Sequence, residues 1–300
     1  MEILLTGAHG MLGKYVTETF RGEEITTLGK SRKNDIVCDL RKEIPAIPEK
    51  SRPELVIHAA GTESPEDAFP LNLDGTRNLL AALEGREPRH FVYISSWRVY
   101  SPTSGENVEE TAYTWASGDA GKSKVQAERA VSDWCDKNGV TLTILRPSTM
   151  FGSGMEGWAD RMFNDVVTNR YVHIRGNDAR LSVVMALDVA RAVRQLYKKG
   201  GLYNINDGKQ PTYLELAEAM SANSGVMKRV THLPEKWANV IYAFGRWIPW
   251  VRIALDPETL KKRSETLTLS NAKAMAEGCA FFGVTSVLAH EDSEYPYQDS

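Results

Sequence analysis

The amino-acid sequence predicts an α/β protein: a parallel, doubly wound sheet with a smaller, partly helical C-terminal lobe. Short apolar runs alternate with helical patterns through the first half of the chain. These runs are continuously apolar, as expected for strands that helices cover on both faces. A glycine-rich segment, Thr6–Gly13, lies between the first run and the first helical pattern. Alternation of this kind builds parallel sheets with right-handed crossovers.

The predicted elements of the sheet domain, residues 1–150, follow one another at short intervals. Strands are predicted over Ile3–Thr6, Glu24–Leu28, Asp35–Cys38, Leu55–His58, His90–Ile94 and Leu142–Arg146. Helices are predicted over Gly10–Arg21, Asn72–Leu83 and Gly118–Asn138.

Residues 151–300 are less regular and are expected to form mainly a substrate-binding lobe, with the return of a strand or helix to the sheet domain left open. A helix is predicted over Asp188–Lys198. Asp188 is interpreted as a helix cap in preference to a ligand-binding residue. Thr212 and Glu215 form a predicted capping box ahead of a helix that runs through Ala222. The acidic residues from His290 onward are expected to form a loose tail.

Composition excludes several classes of protein. Of 300 residues, 25% are charged and 42% are apolar, which is a globular mixture and not a collagen, coiled-coil or disordered one. The formal net charge of −3 and the short charge runs argue against a nucleic-acid partner. Cys38, Cys135 and Cys279 are too far apart for a metal site and odd in number, which favours a reducing compartment, the cytoplasm. A signal peptide and an integral membrane segment are not expected.

The glycine turn predicts a dinucleotide site. Gly7, Gly10 and Gly13 follow the first strand and open the first helix, in the spacing Gly-x-x-Gly-x-x-Gly. Glycines allow a tight turn and let backbone N–H groups approach a pyrophosphate at the helix N-terminus. The alternative is a plain strand-to-helix turn.

The end of the second strand favours NADP over NAD. An acid there binds the ribose 2′-hydroxyl, whereas basic residues suit a 2′-phosphate. Gly29 occupies the expected place of the acid, and Lys30 and Arg32 follow it. A solvated basic loop is the alternative interpretation.

Further motifs stand in order along the chain. They are Asp39-Leu40, His58-Ala59-Ala60-Gly61, Asn72-Leu73-Asp74-Gly75-Thr76, Tyr93-Ile94-Ser95-Ser96-Trp97-Arg98-Val99-Tyr100, and Leu145-Arg146-Pro147 with Phe151-Gly152. Together with the glycine turn, they resemble the extended short-chain dehydrogenase/reductases, the family of NAD-dependent epimerases and dehydratases.

The resemblance implies a Rossmann-type fold and specific roles for residues. Cofactor-binding positions are Gly7, His9, Gly10, Met11, Gly13, Lys30, Arg32, Asp39, Leu40, Ala59, Ala60, Gly61, Lys124 and Pro147. The catalytic positions are Ser96 and Lys124, and those facing the substrate are Ser96, Trp97, Ser148 and Arg180. His58, Asn72 and Asp39 have structural alternatives, as a strand end, a cap or bridging residue, and a turn acid. A metal is not expected.

The family's proton-transferring tyrosine is replaced. The pattern Tyr-Gly-x-Ser-Lys-x-x-x-Glu matches at Gly121, Ser123, Lys124 and Glu128, but Ala120 stands at the tyrosine position. Residues i and i+4 share a helix face, so a lysine there would lower the pKa of the phenol. Three interpretations remain open: binding without chemistry, replacement by another group such as Tyr113, or a substitution engineered into an otherwise active member.

The resemblance implies an NAD(P)-dependent oxidoreductase, epimerase or dehydratase that acts on a hydroxyl or carbonyl substrate, and a homodimer. In the family members that act on nucleotide sugars, an arginine binds the substrate, and Arg180 is one residue out of register with it. The alternative interpretation of Arg180 is a surface residue of a strand. An apolar alcohol or ketone is the other substrate class. The alternative function is a catalytically impaired or inactive dinucleotide-binding protein with a sensing or regulatory role.

An aromatic stretch in the C-terminal half has three interpretations. These are the core of the lobe and a lid over the pocket, a helix on a membrane surface, or a contact with an apolar substrate. Its aromatic residues are Trp237, Tyr242, Phe244, Trp247 and Trp250, and Trp237, Ile241, Phe244 and Ile248 repeat at helical spacing.

Overall fold

A seven-stranded parallel sheet organises the molecule. The computed structural model describes residues 1–100, 105–223, 230–234, 237 and 264–290. The strands are β1 (Glu2–Thr6), β2 (Glu24–Gly29), β3 (Ile36–Val37), β4 (Leu55–His58), β5 (His90–Ile94), β6 (Gly105–Val108), β7 (Thr141–Pro147), β8 (Thr149–Phe151), β9 (Val172–Ile174), β10 (Val183–Met185), β11 (Gly201–Ile205), β12 (Thr231–Leu233) and β13 (Leu267–Leu269). The order in the main sheet is β3-β2-β1-β4-β5-β7-β11. The predicted doubly wound α/β fold is confirmed.

Helices cover both faces of this sheet, and further helices lie beyond it. They are α1 (Met11–Thr19), α2 (Pro65–Asp67), α3 (Gly75–Ala82), α4 (Asp119–Asn138), α5 (Gly157–Val167), α6 (Ala186–Leu196), α7 (Tyr213–Asn223), α8 (Ala272–Ala276) and α9 (Val284–Leu288). A π-helical segment, Ala68–Asp74, joins α2 to α3, and a 3-10 turn, Trp97–Val99, follows β5.

The apolar runs of the strands supply two cores at once. Along β1, Ile3 and Leu5 belong to the core beneath α1 and α6, whereas Leu4 belongs to the core beneath α3 and α4. Along β4, Ile57 belongs to the first of these cores and Val56 to the second. Successive side chains of a strand point to opposite faces, so a strand between two helical layers is apolar at nearly every position.

Several predicted boundaries differ from the structure. The third strand, expected over Asp35–Cys38, contains Ile36–Val37 only, because β2 ends at Gly29 and offers only Leu28 and Gly29 as partners. The helix expected from Asn72 begins at Gly75, after the π-helical segment. The first helix is shorter than expected at both ends.

The chain beyond residue 150 contributes the edge strand β11, which pairs in parallel with β7. Three smaller parallel pairs, β8 with β10, β9 with β12, and β6 with β13, extend the structure beyond the sheet. The capping box is confirmed: Glu215 N donates to Thr212 Oγ1 at 3.1 Å, and Thr212 N donates to Glu215 Oε2 at 2.7 Å.

Asp188 does not cap α6 through its side chain, contrary to the interpretation from sequence. The cap residue is Met185, and Asp188 lies buried in the first turn. Its carboxylate accepts a hydrogen bond from Phe282 N at 2.7 Å, so it fixes the segment before α9.

Part of the C-terminal sequence that attracted predictions lies outside the described residues. This applies to the aromatic stretch after Trp237 and to the tail beyond His290, while Trp237 itself is exposed. Among the helices of the described residues, none has the length and apolar character needed to cross a membrane.

Candidate functional site

Most of the predicted site residues gather at one edge of the sheet. Because the strands are parallel, the segments that follow β1, β4, β5 and β7 all leave the sheet at its carboxyl edge. These segments begin at Gly7, Ala59, Ser95 and Ser148. In open α/β sheets, ligands bind in the crevice at this edge.

The glycine turn is packed on its inner side and open on its outer side. Gly7 has φ +74°, and a side-chain carbon there would lie 2.7 Å from Ala60 N. At Gly13 the same carbon would lie 2.1 Å from the Gly7 carbonyl oxygen. At Gly10 the nearest atom, the same oxygen, is 3.4 Å away. The turn therefore requires glycine at Gly7 and Gly13 for close packing, and Gly10 presents bare backbone to the crevice.

A buried hydrogen-bonded chain holds the first two of these segments together. Ala60 N donates to Thr6 Oγ1 at 3.1 Å, and Thr6 Oγ1 lies 2.6 Å from His58 Nδ1. On the other side, His58 Nε2 lies 2.9 Å from Thr76 Oγ1, which donates to Asn72 O. Thr76 thus accepts from His58 Nε2–H, and Thr6 donates to Nδ1, which requires neutral imidazole. Burial, helped by the charge of Lys124, lowers the pKa of His58 to about 3.

Lys124 is a buried cation at the centre of the edge. Its ammonium donates to Ile94 O at 2.7 Å and lies 4.9 Å from the centre of the Tyr93 ring. A side-chain carbon at Gly61 would come within 2.9 Å of Lys124 Nζ. Burial lowers the pKa of Lys124 to about 8, although the carboxylates of Glu128 and Glu63 act in the opposite direction.

We expect Lys124→Met to raise the free energy of unfolding at pH 7 by about 1–3 kcal/mol. The folded-state pKa of about 8 lies below the ordinary 10.5, so the unfolded chain holds the proton more tightly. The cost of burying the charged Lys124 ammonium in the unsubstituted protein is complete below pH 8. It disappears as the pH rises toward 10.5. Urea unfolding measures it, with the exposed neighbour Lys122→Met as a control that should change little. A less stable Lys124→Met would show that the bond to Ile94 outweighs burial.

Ser96 lies on the turn after β5, against the start of α4. Its hydroxyl accepts a hydrogen bond from Arg98 N at 3.2 Å. A side-chain carbon at Gly121 would lie 2.2 Å from Arg98 O, so glycine lets α4 press against this turn. Ala120, half-buried, precedes Gly121 in the first turn of α4, and Lys124 lies one turn further on. The structure therefore brings Ser96, Ala120 and Lys124 to the same place.

Asn72 fixes the loop after β4 to α4. Its side-chain amide accepts from Thr62 N and donates to Thr62 O, at 2.9 and 3.0 Å, and also donates to Ser123 Oγ at 3.0 Å. Of the interpretations made from sequence, this is the bridging one.

A buried ion pair that was not predicted from the sequence joins α4 to β7 next to the site. Glu128 on α4 accepts from Arg146 Nε at 2.9 Å and Nη2 at 2.6 Å, and also from Ser95 Oγ. Arg146 Nη1 donates to Tyr100 Oη at 3.0 Å, and Tyr100 donates to Asn204 at 2.6 Å. An arginine inside an apolar strand is a signal for such a partner, since it is almost never buried unpaired.

A second ion pair missed by sequence reasoning lies at the mouth of the site. Arg98 donates to both carboxylate oxygens of Glu63, from Nε at 2.8 Å and Nη2 at 3.0 Å. The two residues are 35 positions apart; Arg98 stands in the Ser96 motif, but nothing in that motif indicates a pairing with Glu63.

The candidate replacement acid, Tyr113, is an exposed loop residue. It is 75% exposed and stacks on Trp115, with ring centres 6.1 Å apart. This is the structural alternative given to it from sequence.

The structure places the outer positions of the predicted cofactor site as follows. Lys30 and Arg32 are exposed on the loop after β2, where Asn34 packs over Gly29. Hydrogen bonds from Arg41 lower the pKa of Asp39 to about 2, and Leu40 is buried beside it. His9 is exposed and Met11 half-buried on the open side of the glycine turn.

The remaining substrate-side positions divide into two groups. Pro147 ends β7 and Ser148 follows it, both buried at the carboxyl edge, and Trp97 lies on the Ser96 turn. Arg180 forms a surface β-bridge with Thr212, and its guanidinium donates to Gln210 O at 2.9 Å. These contacts fit the surface-strand alternative for Arg180.

Comparisons with known proteins place these features in a family. Residues 3–206 match the model of the NAD dependent epimerase/dehydratase family. The chain is 27% identical, over 58% of its length and 56% of the relative's, to N-acetyl-alpha-D-glucosaminyl-diphospho-ditrans,octacis-undecaprenol 4-epimerase of Escherichia coli O157:H7. It is 26% identical, over 71% and 75%, to dTDP-4-keto-6-deoxy-D-glucose reductase of Streptomyces niveus. The chain thus spans little more than half of the first relative and three quarters of the second.

The fold is shared with solved structures. The UDP-glucose 4-epimerase of Thermus thermophilus, solved in complex with NAD, superposes with a TM-score of 0.74. It is 21% identical, with 96% of this chain and 97% of that chain covered. From the family match over two thirds of its length, the chain belongs to the NAD dependent epimerase/dehydratase family.

Proposed function

We propose that the chain binds NADP or NAD along the carboxyl edge of the sheet and exchanges a hydride with a hydroxyl or carbonyl group of a nucleotide-linked sugar. The reaction is of the oxidoreductase, epimerase or dehydratase type. The observation that carries the proposal is the convergence of the glycine turn, Ser96 and Lys124 at one edge. The names of the two relatives, a lipid-diphosphate sugar epimerase and a dTDP-sugar reductase, support the substrate class.

The residues at this edge fit a dinucleotide. The nine-residue helix α1 has no side-chain cap, so its first N–H groups point toward the crevice. Its cap residue is Gly10, where bare backbone allows a diphosphate to approach. Lys124 then offers its ammonium to the hydroxyls of the nicotinamide ribose.

The chain's own residues position the substrate oxygen. When bound, the nicotinamide supplies or accepts the hydride. The Ser96 hydroxyl donates a hydrogen bond to the reacting oxygen. The place of the phenol, one helical turn before Lys124, is taken by Ala120, whose methyl group has no ionisable proton to exchange with the substrate. Turnover in this form is therefore slow.

Ala120 also favours the second candidate function, a dinucleotide-binding protein with a sensing or regulatory role. The two candidates differ in hydride exchange. We test them by loading the protein with reduced cofactor for keto forms of UDP- and dTDP-linked sugars and with oxidised cofactor for their hydroxy forms, and by following the fluorescence of the reduced cofactor. Oxidation or reduction of the cofactor by any of them supports the enzyme, whereas binding without exchange supports the second candidate. Failure to bind either dinucleotide would contradict both.

We expect NADPH to bind more tightly than NADH, by roughly tenfold to a hundredfold. Lys30 and Arg32 are exposed beside the end of β2 and suit a 2′-phosphate, while Gly29 offers no acid to the 2′-hydroxyl. Fluorescence titration gives both dissociation constants. Arg32→Ala should weaken NADPH and leave NADH unchanged, which makes NADH the internal control. Equal constants in the unsubstituted chain would refute the preference.

A further inference from the structure

The Glu63–Arg98 ion pair lies beside the turn that carries Ser96, the residue to which the proposed function assigns the substrate oxygen. Glu63 follows β4 and Arg98 follows β5, and these strands are parallel neighbours. Arg98 is two residues beyond Ser96, and Glu63 is two residues beyond Gly61, whose missing side chain faces Lys124. The pair therefore bridges the two loops that flank Ser96 and Lys124.

Arg98 is the anchored partner of the pair. Its backbone N–H is held by Ser96 Oγ, and its carbonyl oxygen packs against Gly121. The guanidinium lies 5.0 Å from the centre of the Trp97 ring, where a cation is attracted to the aromatic face. With backbone and side chain both held, the guanidinium keeps its direction whether or not Glu63 is in place.

Glu63 is the replaceable partner. Its side chain is 58% exposed, against 36% for Arg98. Asn72 holds the backbone of Thr62, but the hydrogen bonds of the Glu63 carboxylate among the described residues come from Arg98. The carboxylate can swing into solvent at small cost, since exposed ion pairs contribute about 0–1 kcal/mol.

We propose that Arg98 determines substrate specificity by binding a carboxylate group of the substrate, and that Glu63 occupies this place when no substrate is bound. The inference rests on the proposed function and narrows its substrate class to nucleotide-linked uronic acids. The planar guanidinium matches a carboxylate with two parallel hydrogen bonds, which a hydroxymethyl group cannot accept. An exchange of one carboxylate for another leaves the guanidinium paired throughout.

The test compares UDP-glucuronate with UDP-glucose, which differ in a carboxylate in place of a hydroxymethyl group. Isothermal titration of the NADP-loaded protein should give roughly tenfold to a hundredfold tighter binding of UDP-glucuronate. Arg98→Gln should remove this preference. Arg98→Lys, which keeps the charge but cannot donate two parallel hydrogen bonds, should reduce it. Glu63→Gln, which weakens the internal competitor, should tighten UDP-glucuronate and leave UDP-glucose unchanged. Arg77→Gln, which removes an exposed pair with Asp74, is the matched control.

Two outcomes overturn the inference in different ways. The inference is wrong if UDP-glucose binds at least as tightly as UDP-glucuronate, or if Arg98→Gln weakens the binding of both probes equally. Arg98 then contacts the substrate without discriminating the carboxylate, and the proposed function stands. If NADPH binds and neither these UDP-sugars nor dTDP-linked sugars do, the nucleotide-sugar function fails together with the inference. Thermal unfolding of the variants separates either result from loss of the fold.

Discussion

Replacing Ala120 by tyrosine is expected to raise hydride transfer by about 10²- to 10⁴-fold, the usual contribution of general acid–base catalysis. Ala120 lies in the first turn of α4, which presses against the turn that carries Ser96. Residues i and i+4 share a helix face, so the new phenol would lie beside the Lys124 ammonium. A neighbouring positive charge favours phenolate and lowers the pKa of the phenol from about 10.

The measurement is the rate of cofactor fluorescence change at saturating cofactor, with UDP-glucose and UDP-glucuronate as substrates. Ala120→Phe is the matched control, because it adds the ring without the hydroxyl. Titration of the introduced phenol by ultraviolet absorbance should give a pKa below 10, independently of any substrate. A gain in Ala120→Phe equal to that in Ala120→Tyr would assign the effect to packing. If the unsubstituted chain is already fast, another residue moves the proton, and Tyr113→Phe is the next variant.

Cofactor affinity should be nearly the same in both forms. The proposed contacts to the dinucleotide come from the glycine turn, from Lys124 and from the loop of Lys30 and Arg32, and none of them depends on the side chain at Ala120. A large change in cofactor dissociation constant on Ala120→Tyr would show that the new ring enters the cofactor crevice instead of the substrate side.

The sequence was sufficient to predict the sheet because local pattern and tertiary position agree there. A strand covered on both faces is apolar at nearly every residue, so β1, β4 and β5 stand out in the sequence. The glycine turn is equally visible, since close packing at Gly7 and Gly13 excludes any side chain. Parallel pairing then places the ends of these strands together, which predicts the place of the site.

The segment before α3 could not be predicted in this way. Periodicity indicates a helix from Asn72, but Pro70 cannot donate a backbone hydrogen bond, and the Asn72 side chain is engaged with Thr62. The chain widens into a π-helical segment there, a form that is common at functional sites. The π-helical segment is stabilised by contacts with other parts of the fold, because it lets Asn72 reach both Thr62 and Ser123.

The ion pairs of the site were missed for a related reason. Glu63 and Arg98 come from different loops, and only the adjacency of β4 and β5 brings them together. Lys124 was expected from its motif, but its burial and lowered pKa depend on the surrounding layers, which spacing does not reveal. Residue types are therefore predictable at this edge, whereas the pairing of charges requires the fold.

Glu128→Gln is expected to lower the free energy of unfolding by about 3–5 kcal/mol, a large part of the usual 5–15 kcal/mol. The Glu128 and Arg146 side chains are 9% and 5% exposed, and the carboxylate receives two hydrogen bonds from the guanidinium. A neutral amide leaves the Arg146 charge buried without compensation, and this costs more than the direct interaction contributes. Because the pair joins α4 to β7, its loss also loosens the helix that carries Lys124.

Urea unfolding of three variants separates the charge from the packing. Glu128→Gln alone should lower the midpoint strongly with an unchanged slope. The double variant Glu128→Leu with Arg146→Met should recover most of the stability, because an apolar pair of similar volume has no charge to desolvate. Glu18→Gln, which breaks the exposed pair with Arg21, should cost less than about 1 kcal/mol. A double variant no more stable than Glu128→Gln would mean that the hydrogen bonds to Ser95 and Tyr100, and not the unpaired charge, hold α4 on the sheet.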